Sequence, residues 1–197
     1  MTKKGFITNN LHSDRRDSPE HGVLHKAIHP SVAYAYEDSR HLAEVFQGKR
    51  EGYNYGRQLN PTVTALQKRI TLMEDGIASV AFATGMAAIS STMLALLRSG
   101  DHIVSSAFLF GNTNSLFATL QRLGIEVSFV DATDSSSVEA AIKPNTKLVF
   151  SETIANPATQ IADLHGIGKI CASHGFCLSY TSPSPRARTR PPMPSIV

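Results

Sequence analysis

Hydrophobic residues recur at helical and strand spacing only after about residue 60. The preceding stretch is polar, is rich in turn-forming residues and holds five of the eight histidines. Its one short helical pattern covers Ser39 to Phe46. This distribution predicts an extended N-terminal arm, residues 1–58, with a single small helix. Because so long a weakly structured segment is uncommon inside a compact domain, we expect the arm to lie on a partner subunit.

The following region alternates helices and strands. Asn60 and Pro61 open an amphipathic helix. Strands are then predicted at 79–83, 101–105, 125–130 and 147–153, and helices at 85–98, 112–123, 136–142 and 161–173. This alternation predicts an α/β domain over residues 59–178, with a mostly parallel sheet flanked by helices on both faces.

The end of the chain has a different composition. Residues 179–197 hold five of the ten prolines and no acidic residue. They begin just where Phe176, Cys177 and Leu178 should start another buried strand, so the pattern predicts a strand that breaks at Ser179 and an aberrant Pro/Arg/Ser-rich tail. A flexible extension would account for this tail, but the interrupted strand favours a truncated or frame-shifted coding sequence.

Charge and cysteine content narrow the class of protein. The chain has 197 residues with 19 basic and 16 acidic side chains, and the three excess positive charges are the tail residues Arg186, Arg188 and Arg190. A neutral body and an apolar stretch interrupted by polar residues predict no nucleic-acid or membrane partner. Two cysteines and no apolar run at the N-terminus predict a cytoplasmic protein without a disulfide framework or metal site.

Two short motifs have chemistry that suits a phosphate group. Thr84-Gly85-Met86 stands at a predicted strand-to-helix turn, where unpaired N–H groups and the helix dipole favour an anion. Tyr55 and Arg57 place a phenol and a guanidinium on one side of an extended segment. A structural glycine and a solvated arginine are the competing interpretations.

Three further candidates follow predicted strands. Glu152 and Asn156 flank one strand end, and Phe110 precedes a helix in another strand-end loop. Ligands bind at the carboxyl ends of strands in open α/β sheets, so these positions favour a binding site. An Asn that caps a turn and a Phe that packs in the core would also fit the sequence.

Five motifs in this order resemble the cystathionine gamma-synthase-like family of pyridoxal-phosphate enzymes in methionine and cysteine metabolism. The motifs are Tyr55-Gly56-Arg57, Asn60-Pro61-Thr62, 83–88, Phe110-Gly111-Asn112-Thr113 and 152–157. The match runs from about Asn9 to Leu178, roughly the N-terminal half of a family member. It implies the incomplete large domain of a fold-type I PLP-dependent transferase.

The resemblance implies a role for each candidate residue. Tyr55 and Arg57 would reach the PLP phosphate of a neighbouring subunit, and the turn Thr84-Gly85-Met86 would cradle the same phosphate. Phe110 would stack on the pyridine ring, where many family members have a Tyr that can also pass a proton.

Glu152 and Asn156 would line the site near the ring. The complete enzyme would be a homodimer or homotetramer held together partly by the arm.

Two expected residues are missing. The family's strand after His-Gly carries an Asp that pairs with the pyridinium nitrogen, whereas this chain has Leu178-Ser179-Tyr180-Thr181-Ser182-Pro183 there, with no carboxylate. None of the eight lysines stands in the family's Ser-x-Thr-Lys motif, which supplies the lysine that carries the cofactor. The resemblance therefore predicts an N-terminal fragment that is inactive alone.

The favoured function of the complete enzyme is gamma-replacement on an O-acylhomoserine, as in cystathionine gamma-synthases and O-acetylhomoserine sulfhydrylases. A gamma-lyase acting on C–S bonds is the first alternative. The second alternative is a non-catalytic module that pairs with a full-length homologue and lends it Tyr55 and Arg57.

Overall fold

The computed structural model describes residues 5–12, 20–23 and 26–181. Contacts within the chain divide it into two compact units, residues 1–81 and 82–197. The predicted end of the arm after residue 58 falls inside the first unit. Most of the predicted tail, residues 182–197, lies outside the described residues.

The first unit holds more helix than the single small helix predicted for its arm. It contains α1 (Phe6–His12), a short 3-10 turn (Glu20–Gly22), α2 (Ser39–Phe46) and α3 (Pro61–Met73). The α3 helix begins after Asn60, whose side-chain oxygen accepts the Thr62 N–H at 2.9 Å, and Pro61 fills the first position, where no N–H is needed.

The second unit alternates helices and strands as the hydrophobic pattern predicts. Its elements are α4 (Gly85–Leu96), β1 (His102–Ser106), α5 (Gly111–Arg122), β2 (Glu126–Val130), α6 (Ser135–Ala140), β3 (Thr146–Glu152), α7 (Leu164–His174) and β4 (Cys177–Thr181). All strand pairs are parallel, and the strand order is β2-β1-β3-β4. The predicted parallel α/β architecture is confirmed.

Side chains alternate between the two faces along each strand, so each face of the sheet packs into its own hydrophobic core. Ile103, Leu148 and Phe150 pack with residues of α4 and α5 on one face. Val104 and Val149 pack with residues of α6 and α7 on the other. The side-chain period of two along a strand therefore places helices on both faces.

Two predicted strand features are wrong. Residues 79–83 have irregular backbone, with Val80 70 % exposed, because within the described residues no neighbouring strand pairs with this apolar run. The last strand does not break at Ser179, because Ser179, Tyr180 and Thr181 continue β4 in register with β3. Tyr and Thr favour strands, and the backbone of β3 provides the hydrogen-bond partners for this part of β4.

A buried histidine is fully hydrogen-bonded at the end of the sheet where its strands begin. We call this end the amino edge and the opposite end, where the strands finish, the carboxyl edge. The His102 ring is inaccessible to solvent, with Nδ1 2.7 Å from Thr146 Oγ1 and Nε2 2.9 Å from Ser128 Oγ. Burial, assisted by the charge of Lys143, lowers the His102 pKa, and Glu126 acts in the opposite direction. His102 on β1 is therefore hydrogen-bonded to both neighbouring strands, β2 and β3.

The described residues contain neither a helix that could cross a bilayer nor a cluster that could hold a metal ion. No helix there combines the length and hydropathy that crossing a bilayer requires. Among the same residues, no three His, Cys, Asp or Glu side chains come together in a way that could hold a metal ion.

Candidate functional site

The sheet has a switch point between β1 and β3. From β1 the chain passes through α5 to β2 on one side, and from β3 it passes through α7 to β4 on the other. The two helices lie on opposite faces, so a crevice opens at the carboxyl ends of β1 and β3. Crevices of this kind are where open α/β sheets bind ligands.

Two predicted site residues meet across this crevice. The Phe110 N–H donates to Glu152 Oε1 at 3.0 Å, although 42 positions separate them in sequence. Glu152 is only 8 % exposed, whereas Phe110 is 45 % exposed. A buried carboxylate thus fixes the backbone of an aromatic residue whose ring remains accessible.

The α4 helix begins with open N–H groups. Thr84 Oγ1 accepts the Ala87 N–H at 3.1 Å, and the Thr84 carbonyl accepts the Ala88 N–H. Within the described residues the N–H groups of Gly85 and Met86 make no hydrogen bond. A Cβ added to Gly85 would meet no atom within 4 Å. The first turn of α4 therefore has both donors and space for an anion.

The helices on the opposite face are capped by the protein's own carboxylates. Asp134 accepts hydrogen bonds from the Ser136 side chain and N–H, and Asp163 accepts them from the Gly166 N–H and the Ser135 hydroxyl. These bonds lower the pKa of both carboxyl groups. The start of α4 differs because its cap, Thr84, is neutral.

The loop after β3 closes on itself at the same edge. Ile154 forms an isolated bridge with Ile161, and the Ala155 N–H donates to the Gln160 carbonyl at 2.9 Å. Asn156 is exposed in this loop and precedes a cis proline. Gln160 Oε1 is buried without a hydrogen-bond partner among the described residues.

A small hollow beside this loop collects polar groups. Ser106, Thr133, Glu152 and Gln160 contribute to its lining. The sequence interpretation missed Gln160, because a single Gln in a loop carries no pattern and only the folded backbone brings it beside Glu152.

Tyr55 and Arg57 lie together in the first unit. The Arg57 guanidinium carbon is 5.3 Å from the centre of the Tyr55 ring, and both side chains are exposed. The segment is a turn rather than the predicted extended stretch, since the Gln58 and Leu59 N–H groups both donate to the Tyr55 carbonyl. The turn still brings the guanidinium and the phenol together as predicted.

Comparison with protein families decides the classification. Residues 7–182 match the family model for the Cys/Met metabolism PLP-dependent enzymes. The chain belongs to this family.

Curated members of the Cys/Met family show the same relationship. The chain is 39 % identical over 168 residues to an O-acetyl-L-homoserine sulfhydrylase of Corynebacterium glutamicum, covering 84 % of this chain and 38 % of that protein. It is 37 % identical over 171 residues to an L-methionine gamma-lyase of Fusobacterium nucleatum, covering 86 % and 43 %. The chain thus spans about two fifths of the length of these relatives.

A solved structure supports the fold assignment. A crystal structure from Campylobacter jejuni, assigned as an O-acetylhomoserine (thiol)-lyase and containing a pyridoxyl-lysine phosphate, matches with a TM-score of 0.83 at 30 % identity. The match covers 91 % of this chain and 44 % of that one. The described sheet and helices are therefore part of the fold-type I large domain, as predicted.

The residues at the carboxyl edge fit part of the Cys/Met family's cofactor. The open first turn of α4 suits the phosphate, and the accessible Phe110 ring suits one face of the pyridine. Among the described residues, β4 offers no carboxylate from Cys177 to Thr181 that could pair with the ring nitrogen. The fit is thus to the phosphate and the ring face.

Proposed function

We propose that the chain is the N-terminal, cofactor-binding portion of a PLP-dependent enzyme that, when complete, performs gamma-replacement on an O-acylhomoserine. The observation that supports this proposal most directly is the family match over residues 7–182. The identity to an O-acetyl-L-homoserine sulfhydrylase and to a homocysteine synthase of Schizosaccharomyces pombe supports the substrate class.

The chain's own residues have separate tasks in this proposal. The N–H groups of Gly85 and Met86, with the Thr84 hydroxyl, bind the phosphate. Phe110 holds the pyridine ring by stacking, and Glu152 holds Phe110 through its backbone N–H.

Asn156, exposed in the loop after β3, faces the ring substituents or the substrate. When bound, PLP supplies an electron sink for charge that develops on the substrate amino acid.

The arm completes the site of a second subunit. Tyr55 and Arg57 bind the phosphate in trans, which accounts for their exposure and their mutual stacking. Exposed apolar residues of the arm, Ile28, Val32 and Phe46, support contact with another chain.

We further propose a cytoplasmic homotetramer for the complete enzyme. Both cysteines are free thiols, as a reducing compartment maintains them.

The arm proposal has a direct test. Co-purification with a full-length O-acetylhomoserine sulfhydrylase is expected, and deletion of residues 1–58 should abolish it. A chain that stays monomeric and does not bind the homologue would rule out pairing through the arm. Mixed assemblies without turnover by the short chain would support its role as a pairing module.

The 197-residue chain alone should not catalyse the reaction. No lysine stands in a Ser-x-Thr-Lys motif, and no carboxylate faces the ring nitrogen from β4. We expect no conversion of O-acetylhomoserine or O-succinylhomoserine with sulfide and added PLP beyond the rate of PLP alone. Turnover by the purified chain would overturn the assignment of an indispensable lysine outside this sequence.

A gamma-lyase is the second candidate, since the methionine gamma-lyase of Fusobacterium nucleatum is nearly as similar as the sulfhydrylase. Resequencing the coding DNA from the Gly175 codon onward, in all three frames, tests for a continuation with the missing Asp and Ser-x-Thr-Lys. The protein from such a frame would then be assayed with O-acetylhomoserine plus sulfide and with methionine. Homocysteine supports replacement, whereas a thiol and a 2-oxo acid from methionine support elimination.

A further inference from the structure

A strap of the first unit lies against the segment that carries Tyr55 and Arg57. The strap is residues 29–36. The Gly56 N–H donates to the Val32 carbonyl at 2.7 Å, and Ala33 pairs with Tyr55 in an antiparallel bridge. The segment with Tyr55 and Arg57, the phosphate-binding pair of the proposed function, is therefore hydrogen-bonded to the strap.

The fit between the strap and this segment is close. A Cβ added to Gly56 would lie 3.3 Å from both the Ser31 carbonyl oxygen and the Val32 Cα. The Tyr36 hydroxyl donates to the Tyr53 carbonyl at 3.0 Å. Glycine at position 56 is what allows the two backbones to approach.

Asn60 joins the strap to the helix that follows. Its Oδ1 caps α3 by accepting the Thr62 N–H, and its Nδ2 donates in the other direction, to the His29 carbonyl at 2.9 Å and to the Tyr34 hydroxyl at 3.2 Å. A second bond runs in parallel, from the His29 N–H to Thr62 Oγ1 at 2.8 Å. One amide side chain therefore starts a helix and fastens the strap.

We propose that Asn60 is a positioning residue for phosphate binding: its Nδ2 group holds the strap closed, and the strap keeps Tyr55 and Arg57 in the geometry that binds the phosphate. This inference depends on the proposed function for the identity of the ligand. The capping of α3 by the Asn60 Oδ1 atom is a separate, structural role. A carboxylate would perform the capping role equally well but could not donate to the strap.

The substitution Asn60→Asp separates the two roles. It keeps an N-cap acceptor for α3 and removes the donors to His29 and Tyr34. Gln58→Glu is the matched control, because it makes the same amide-to-carboxylate change on an exposed side chain next to Arg57. Arg57→Ala sets the loss of affinity that follows from removing a phosphate ligand.

Two measurements are made on the full 197-residue chain, at a concentration where sedimentation shows that it self-associates, because Tyr55 and Arg57 are proposed to reach the phosphate of a second subunit. Amide hydrogen exchange reports strap opening at Gly56, and equilibrium dialysis reports the affinity for pyridoxine 5′-phosphate, which has the ring and phosphate but no aldehyde to react with lysines. We expect Asn60→Asp to speed exchange at Gly56 at least tenfold while the α3 amides stay protected. Its affinity should fall about as far as that of Arg57→Ala, beyond any loss in Gln58→Glu.

Each outcome bears on a distinct claim. Faster exchange at Gly56 with unchanged affinity, when Arg57→Ala loses affinity, would overturn the positioning role and leave the proposed function intact. If Arg57→Ala also binds as tightly as the wild type, the proposed role of Arg57 fails, whatever the exchange result. Unchanged exchange at Gly56 in Asn60→Asp would show that the side chain does not hold the strap. Should this variant not fold, Tyr34→Phe removes one Nδ2 partner and should give a smaller rise in exchange and a smaller loss of affinity.

Discussion

The two edges of the same parallel sheet use polar residues in opposite ways. At the amino edge, His102 has a partner for each ring nitrogen, and Lys143 pairs with Glu126. At the carboxyl edge the Gly85 and Met86 N–H groups and Gln160 Oε1 have no partners within the described residues, and the Phe110 ring is accessible.

Of these groups only Gln160 Oε1 is buried, and buried polar atoms are normally hydrogen-bonded. The open N–H groups at a helix start are donors for an anion, so the two features together indicate where a ligand would supply the partners. The amino edge, in contrast, is closed by its own side chains. The comparison therefore predicts that substitutions at the amino edge change stability, whereas substitutions at the carboxyl edge change ligand affinity.

The largest expected effect is at the amino edge. His102→Ala removes both hydrogen bonds of a buried ring and leaves a cavity, which should lower the free energy of unfolding by about 2–4 kcal/mol. Urea denaturation checks this value, with the exposed His165→Ala as control. A loss no larger than that of the control would contradict the structural role of the amino edge.

The next effect is at the start of α4. Gly85→Asp places a carboxylate where the phosphate is proposed to bind, and nothing within 4 Å obstructs its Cβ. We expect at least a tenfold loss of affinity for pyridoxine 5′-phosphate without loss of stability, since an acidic residue suits a helix N-terminus. The neutral Gly85→Asn should lose much less. Equal losses for the two variants would point to a steric effect instead of charge.

The smallest effect concerns pH. Because the His102 pKa is lowered on folding, the unfolded chain binds more protons below about pH 6.5, and the free energy of unfolding should fall as the pH drops below that value. One such group contributes at most about 1.4 kcal/mol per pH unit. The carboxyl groups with lowered pKa, such as Asp163, act in the same direction but only near pH 4 and below.

Denaturation of the wild type and His102→Gln at pH 7.5 and pH 5.5 isolates this contribution. The variant should lose less stability than the wild type between these two values. An equal pH dependence in both proteins would assign the titration to another group.

Sequence patterns predicted the elements whose causes are local. The α2 helix has the predicted range, and α3 begins at Pro61 as the Asn60-Pro61 pair indicates. Strands were less predictable because a strand exists only with a neighbour: the apolar residues 79–83 have none, and Ser179 to Thr181 join β4 through pairing with β3. An apolar run alone does not specify such pairing.

The site residues divide in the same way, into those with a local signal in the sequence and those whose contacts depend on distant segments. Thr84, Gly85 and Phe110 lie at helix starts, which are local signals, so their positions could be predicted even though the strand predicted before Thr84 is wrong. The bond between the Phe110 N–H and Glu152 depends on the register of β1 against β3. The donors from Asn60 to His29 and Tyr34 likewise join distant segments, and the sequence gives no local sign of them.

The central claim is that this chain recognises the phosphate of its cofactor. Equilibrium dialysis of the wild-type chain with pyridoxine 5′-phosphate and with pyridoxine, at low ionic strength, measures that recognition directly. We predict at least tenfold tighter binding of the phosphate ester, with inorganic phosphate competing. Equal affinity for the two compounds would contradict the claim.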